Sequence, residues 1–339
     1  MRAFQIGDQS GIEALTATTR PDPVAAPGMV VLAPRLVSLN NRDIQIMRGA
    51  YGAKKPVERI PVSEGVGEIV AVGDGVSGFS VGDRVIAPHF VNWTGGDFGF
   101  HAFSHDVGVT HDGWLAERVV VPATALVRVP EALSDRQAAA LPSAALTAWN
   151  AVVEVGKVKA GDLVLALGTG GVSTFALQIA KANGARVAIT SSSDDKLAIA
   201  RELGADITIN YRTHPDWAAE LMKATANAGA DIVVETGGQA TLSQSIAAAA
   251  VNATIVIIGV TAGKAADGLP NYGTIIGKNL TLRGIAEGSR AMLVRLVRAV
   301  EANGIEPVVK KVFAFDQAPE AYAYLASSEH VGKVMIEVQ

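Results

Sequence analysis

The 339-residue sequence contains no cysteine. That absence removes disulfides, thiol nucleophiles, iron–sulfur clusters and every thiolate-held zinc. Aromatic residues are few, at 5% of the chain, so the broad stacking surfaces that single-stranded nucleic acid prefers are scarce. Basic residues are in slight deficit, 29 Lys and Arg against 33 Asp and Glu, for a formal net charge of −4. With no basic run, neither nucleic acid nor an acidic membrane surface is an expected partner. No stretch approaches the ~18 uninterrupted apolar residues of a membrane span. The opening MRAFQIGDQS lacks the basic and apolar regions of a signal peptide, so the expectation is a soluble, cytoplasmic protein. There is also no fixed-period repeat and no low-complexity tract.

What is present is an ordinary globular balance, 49% hydrophobic and 18% charged, with 35 glycines. The length suggests two domains at ~100–200 residues each. Residues 1–128 read as short strands, such as Gly28–Arg35, Gly67–Val72, Arg84–Ala87 and Leu115–Val121, divided by Gly-Asp and Gly-Val turns. Prolines at 21, 23, 27, 34, 56 and 61 oppose long helices there. VAVGDGVSGFSVGDRV suits the tight turns of a small β-barrel. Residues 129–283 alternate strand and helix. Leu163–Leu167, Arg186–Thr190, Ile207–Ile209, Asp231–Glu235, Thr254–Gly259 and Leu280–Gly284 read as strands. Between them, Val172–Asn183, Asp194–Leu203, Asp216–Ala226 and Gln239–Ala250 read as helices. This alternation predicts βαβ units and a doubly wound parallel sheet, an α/β fold. Residues 284–339 add a helix over Arg290–Asn303, a strand over Val308–Phe315, a helix near Ala318–Ser327 and a strand over Lys333–Val338. A β-rich region that resumes after the βαβ region suggests an interrupted domain.

The sharpest motif lies at the first of these strands. Val164–Leu167 runs into Gly168-Thr169-Gly170-Gly171-Val172, and a helix follows. A dinucleotide needs a tight turn at Gly168, close backbone approach to pyrophosphate at Gly170, and a helix N-terminus facing the anion. Ser173 stands where the usual third glycine would be. The next strand ends in Thr190-Ser191-Ser192-Ser193 and lacks the acid that accepts from an NAD ribose. Ser191 and Ser192 leave room for a 2′-phosphate and Lys196 can supply charge, which favours NADPH over NADH. Ser192 or Ser193 also serves as a helix cap, and Asp194 and Asp195 suit the helix dipole. Gly259, at the end of a later strand, is a further candidate beside the cofactor.

These residues together resemble the medium-chain dehydrogenase/reductase superfamily, in its zinc-independent quinone-oxidoreductase-like and zinc-free alcohol-dehydrogenase-like branch. The resemblance includes Leu39-Asn40-Asn41-Arg42-Asp43, Glu64-Gly65-Val66-Gly67, Val81-Gly82-Asp83-Arg84-Val85 and the Gly168–Val172 loop. It extends to Ile209-Asn210-Tyr211-Arg212 and the closing Gly332-Lys333-Val334. It implies a GroES-like β-barrel catalytic domain, residues 1–128 and 284–339, interrupted by a Rossmann domain, residues 129–283, assembled as a homodimer. In zinc-dependent relatives Cys, His and Cys hold the metal. Asn40, Ser63 and Ser143 stand at the matching positions and are not ordinary zinc ligands, so no zinc is expected. The structural zinc lobe has no counterpart either. In NADPH-using relatives a Lys and a Tyr fifteen positions apart flank the 2′-phosphate, as Lys196 and Tyr211 do here. Thr147 matches a position beside the nicotinamide half.

Without a metal, electron-poor acceptors need the least help, because quinones and α,β-unsaturated carbonyls delocalise the charge they gain. Tyr51, in a context similar to that of the catalytic Tyr of zinc-free enoyl-thioester reductases, is the candidate proton donor or oxyanion partner, or alternatively a cleft-lining ring. Asn40 and Ser63 are candidates for orienting the carbonyl. Arg42 and Asp43 read as a structural ion pair beneath them. Trp93 and Trp149 are ring walls or packing residues. The segment carrying His89, His101, His105 and His111 reads as a polar, flexible lobe, with an adventitious metal site conceivable only if His101 and His105 share a helix face. The leading reading is an NADPH-dependent reductase of a small-molecule quinone or carbonyl. The alternatives are a zinc-independent alcohol dehydrogenase/ketone reductase and a non-catalytic NADPH-binding protein. Loops near Thr261–Tyr272 and Ile285–Arg290 are expected to shape the substrate pocket.

Overall fold

In chain order the first strands are β1 (Arg2–Gln5), β2 (Thr16–Thr19), β3 (Met29–Leu39), β4 (Glu64–Val72), β5 (Arg84–Ile86), β6 (Val119–Pro122) and β7 (Val127–Arg128). Next come β8 (Leu163–Ala166), β9 (Arg186–Ser191), β10 (Ile207–Asn210), β11 (Ala230–Glu235), β12 (Ala249–Ile257) and β13 (Thr281–Gly284). The chain closes with β14 (Val309–Ala314) and β15 (Lys333–Glu337). The computed structural model describes residues 1–259 and 270–339. It divides into two units, Met1–Leu146 with Gly288–Gln339, and Thr147–Glu287. Among the described residues no helix is long and apolar enough to cross a membrane.

The first unit is built around a sheet in the order β14-β15-β3-β4-β5-β7, with β6 also pairing with β3. β3, MVVLAPRLVSL, is buried over nearly its whole length, as a strand covered on both faces must be. Pro34 cannot donate to the ladder, and the register with β4 slips beside it, between Pro34 and Leu36. Gly67 lies opposite, where a Cβ would come within 2.9 Å of the Ala33 carbonyl oxygen. β3 is antiparallel to all three of its partners, β15, β4 and β6. Its C-terminal end therefore meets the start of β4, Ser38 opposite Glu64, and the start of β15, Leu39 opposite Val334. Three segments far apart in sequence thus converge on one point. Trp114, Ile46, Met47, Ile60, Ile69 and Tyr322 fill the core around it.

The second unit is a six-stranded parallel sheet in the order β10-β9-β8-β11-β12-β13. The helices Gly171–Ala182, Asp194–Glu202, Trp217–Ala224 and Leu242–Ala248 connect its strands. The strand order reverses between β8 and β11, the place where ligands bind at the carboxyl ends of such sheets.

Two local expectations differ from the structure. The reading of Gln239–Ala250 as one helix gives way to a tight turn at Gly238–Ala240, a helix over Leu242–Ala248, and a strand beginning at Ala249. The buried Glu235 carboxylate draws in the N–H groups of Gly237 (2.7 Å) and Gly238 (2.9 Å) and the Thr241 hydroxyl (2.6 Å), which shapes the entry. The Lys278 ammonium takes the Ala247 and Ala249 carbonyls, each at 2.7 Å, and closes the exit. The sequence reading also assigns no helix to Asn41–Met47, which forms one with the Asn40 N–H bonded to Asp43 Oδ2 at 2.7 Å.

Candidate active site

At the convergence of β3, β4 and β15 the Lys333 ammonium is almost fully buried, at 3% exposure. It donates to Glu64 Oε1 (2.8 Å), Asn40 Oδ1 (2.6 Å) and the Leu39 carbonyl (2.7 Å). Three protons meet three acceptors, so the ammonium has none left for a substrate. Glu64 is equally committed. Oε1 accepts from Lys333 and from Asn40 Nδ2 (2.8 Å), and Oε2 accepts from the Ser143 N–H (2.7 Å). The Asn40 amide is thereby oriented, oxygen toward Lys333 and nitrogen toward Glu64, and one of its two N–H donors remains. Asn40 is only half-buried, so that donor is the polar group of this cluster best placed to meet a ligand.

The structure thus gathers Asn40 and Ser143 on one carboxylate. Ser143 stands in a wide helical turn, Leu141–Ala145, of the π type that recurs at functional sites. Ser63 directly precedes that carboxylate's residue, Glu64, and its hydroxyl is buried without a hydrogen-bond partner among the described residues. Its predecessor Val62 has φ +76°, a backbone conformation that costs a β-branched residue of order 1–3 kcal/mol. The surroundings hold it there. The Trp114 backbone N–H donates to the Val62 carbonyl (2.8 Å), and Gly113 makes room, since a Cβ there would lie 2.3 Å from the same oxygen.

Tyr51 belongs to a second, adjoining group. Its ring lies under the Arg42 guanidinium, 4.9 Å from the centroid, with the Lys55 ammonium 5.5 Å away and bonded to the Tyr51 carbonyl. The expected pairing of Arg42 with Asp43 is corrected here. Arg42 Nη2 binds Asp106 Oδ1 at 2.7 Å, while Asp43 Oδ2 is spent on the Asn40 N–H. The helix places the two side chains one residue apart and hence in different directions. Burial pushes the Asp43 carboxyl up to about 6, against the pull of Arg42 and Lys333. Asp43 feels Arg42, Lys333 and Glu64 together and so couples the two groups electrostatically. Burial also drives His89 well below its usual range, and the Arg42 charge adds to this.

The histidine-bearing segment is organised by aromatic packing. Trp93 meets Phe98 edge-on at 5.1 Å and bonds to the Gly96 carbonyl, while Phe90 packs against Phe103 at 5.3 Å. Trp93 is 3% exposed and so packs this lobe; Trp149, also buried, donates to Glu154 Oε1 at 2.8 Å. His105 stacks on His111 at 3.4 Å instead of joining His101, and no group of three or more potential ligand side chains occurs among the described residues.

In the second unit, Gly168 adopts φ +72°, the left-handed turn that glycine allows, and nothing lies within 4 Å of a Cβ at Gly170. Open space over a glycine at the start of a twelve-residue helix is the cradle a pyrophosphate requires. The Ser173 hydroxyl, in place of a third glycine, bonds to the Leu167 carbonyl at 2.6 Å and ties the helix to β8. Val172 lies in the helix's first turn. The Thr169 and Ser191 hydroxyls are 3.0 Å apart, and the Tyr211 N–H donates to the Ser191 carbonyl at 3.0 Å. Ser191 thus ends β9 beside the 41%-exposed Tyr211 that follows β10, while Ser192 comes directly after β9 and Lys196 lies in the helix Asp194–Glu202. Ser193 caps the helix through the Lys196 N–H. Thr147 is buried in a helical turn. Gly259 has a tight structural demand, since a Cβ would lie 1.7 Å from the Thr236 carbonyl oxygen. Of the loop at Thr261–Tyr272, residues 261–269 lie outside the described residues.

Glu64, Lys333, Asp106 and Lys55 were not singled out as site residues from sequence. Glu64 and Lys333 do stand in the motifs quoted above, but they are 269 residues apart and only the β3 pairings bring them together.

Comparison with known proteins agrees with this architecture. Residues 26–131 match the alcohol dehydrogenase GroES-like domain, and residues 171–302 match the zinc-binding dehydrogenase family. A zinc-type alcohol dehydrogenase-like protein of Schizosaccharomyces pombe is 45% identical over 321 residues, covering 92% of this chain and 91% of its own. The acryloyl-coenzyme A reductase of Metallosphaera sedula is 30% identical over 334 residues, covering 93% and 94%. A crystal structure of an NAD-dependent alcohol dehydrogenase superposes with a TM-score of 0.91 at 34% identity, covering all of both chains.

Proposed function

Because this chain belongs to the medium-chain dehydrogenase/reductase superfamily of NAD(P)-dependent oxidoreductases, we propose that it is an NADPH-dependent reductase that works without catalytic zinc on a quinone or an α,β-unsaturated carbonyl. The observation that carries this reading is the buried Lys333 ammonium on Glu64 and Asn40. A catalytic zinc needs three protein ligands. Here the Asn40 oxygen is spent on an ammonium, positions 63 and 143 offer hydroxyls, and a dication would have to share Glu64 with Lys333. These donors do not suit a zinc ion. An acceptor that delocalises its own charge suits a site without a Lewis acid, and the acryloyl-coenzyme A reductase among the relatives acts, by its name, on such a compound.

The residues divide the work by unit. In the first, the remaining Asn40 N–H orients the acceptor carbonyl, with Ser63 beside it, and Tyr51 donates a proton to the enolate and recovers one from water. In the second, Gly168, Thr169, Gly170, Gly171 and Val172 hold the pyrophosphate, while Ser191, Ser192, Lys196 and Tyr211 accommodate a 2′-phosphate. Bound nicotinamide supplies the hydride. NADH is the less favoured donor, because no acid stands at the end of β9 to accept from its ribose.

The relatives' names favour a second reading, a metal-free alcohol dehydrogenase or ketone reductase. The two separate in one assay, the loss of reduced-nicotinamide absorbance with NADPH or NADH against a quinone, an enone, an aromatic ketone and, in reverse, a secondary alcohol, with and without chelator. Chelator-insensitive NADPH turnover on the quinone or enone is expected. Turnover confined to ketone and alcohol would establish the second reading, and chelator sensitivity would overturn the zinc-free site. Tight NADPH binding with no turnover would mark a non-catalytic binder. We further propose a homodimer, supported by the exposed sheet edge at β13 and the exposed Val251, Tyr272 and Ile276 of the same unit.

A further inference from the structure

We infer that Arg42, fixed by Asp106, is a positioning residue that makes the Tyr51 phenol a stronger acid, an inference that rests on reading Tyr51 as the proton donor. The geometry carries it. The guanidinium carbon lies 4.9 Å from the Tyr51 ring centroid and the Lys55 ammonium 5.5 Å away, so two cations flank one phenol. Arg42 stays charged at every accessible pH. Its side chain is only 10% exposed, so water screens the charge poorly. Among the described residues its single ion pair is with Asp106, and its Nε and Nη1 have no hydrogen-bond partner. The positive charge beside the ring is therefore only partly offset.

The groups that face this pocket come from four segments. Arg42 and Asp43 lie on the Asn41–Met47 helix, Lys55 on the loop after Tyr51, His89 just beyond β5, and Asp106 at the end of the 100–105 turn. His89 is held neutral by burial and Arg42. Burial raises both Asp106 and Asp43, against the Arg42 charge, and lowers Lys55. Of the two cations that flank the ring, Arg42 is the nearer, and its guanidinium does not lose its charge. A cation nearby favours the phenolate over the phenol. At an effective dielectric near 20, a unit charge ~5–6 Å away shifts a titration by roughly two pH units, of which Asp106 cancels part. A donor that releases its proton more readily speeds the protonation step near neutral pH. Asp106 matters because it fixes a long, flexible side chain over the ring.

The test is the alkaline limb of the kcat/KM profile, together with a direct titration of phenolate absorbance. Subtracting Y51F isolates Tyr51 from the other four tyrosines. R42Q is expected to move both the limb and the Tyr51 titration upward by about one pH unit, and R42K to restore most of the wild-type position. D106N, which removes the offsetting carboxylate, is expected to move both downward. If folded R42Q and D106N leave the Tyr51 titration where it is in the wild type, the inference is overturned. Should R42Q fail to fold, D106N decides alone: a downward move of the Tyr51 titration supports the inference, and an unchanged or upward one overturns it. If Y51F keeps full turnover and the alkaline limb, the donor reading falls, while the absorbance titration still reports separately on Arg42.

Discussion

Lys333 and Glu64 illustrate how much one buried pair can decide. Taking an ammonium and a carboxylate out of water is costly, and the arrangement stands because each of their polar atoms finds a partner. Removing only one member should therefore be severe. K333M is expected to destabilise the chain by about 3–5 kcal/mol in urea melts, and the double change K333M/E64Q should recover part of that. Asp43 gives a pH signature of the opposite kind. Its carboxyl is pushed up to about 6 by burial, so the folded chain keeps a proton that the unfolded chain releases near pH 4. Stability supplied by this group is present at low pH and is lost as pH rises from about 4 through 6, on the order of 2–3 kcal/mol in total. D43N cannot ionise, so its stability relative to wild type should grow by that amount between about pH 4 and pH 7 in paired melts. At this scale the sequence made the residue types legible but not their partners. Asn40, Tyr51 and Ser63 stand out from their context, yet nothing local says that Arg42 reaches Asp106, 64 residues on, instead of its neighbour Asp43.

At the scale of elements, two glycines that look alike in sequence separate cleanly. A Cβ at Gly170 meets no protein atom, and its φ of −77° suits any residue. G170A should leave the melting temperature within about a degree while weakening NADPH binding tenfold or more in a fluorescence titration, a change that only the missing ligand contact explains. At Gly259 the Thr236 carbonyl stands 1.7 Å from the Cβ position. G259A should cost several kcal/mol, in the range of core overpacking, whether or not NADPH is present. Alternation of strands and helices in the second unit was readable because each strand is a short apolar run between polar turns. The break at Gly238–Thr241 was not, because a single buried carboxylate, Glu235, sets it.

For the whole molecule, the interrupted layout follows from the pairing of β15 with β3, which draws residues 288–339 back into the unit formed by residues 1–146. Apolar patterning signals that a β-rich region resumes late in the chain. The antiparallel register that carries Lys333 to Glu64 depends on long-range pairing, which sequence periodicity does not encode. The proposed dimer is also tested at this scale. Light scattering should give twice the chain mass, and V251D with I276D, both at exposed positions, should halve it with little change in melting temperature.

The distance along the chain between Lys333 and its partners also orders events in time. Asn40 and Glu64 leave the ribosome 293 and 269 positions before the ammonium that bonds to both and neutralises the Glu64 carboxylate. At ~5–20 residues per second, the young barrel holds an uncompensated carboxylate for tens of seconds. During that interval the β3 edge reserved for β15 is open to other strands, so the segment most in need of chaperone cover is the oldest part of the nascent chain.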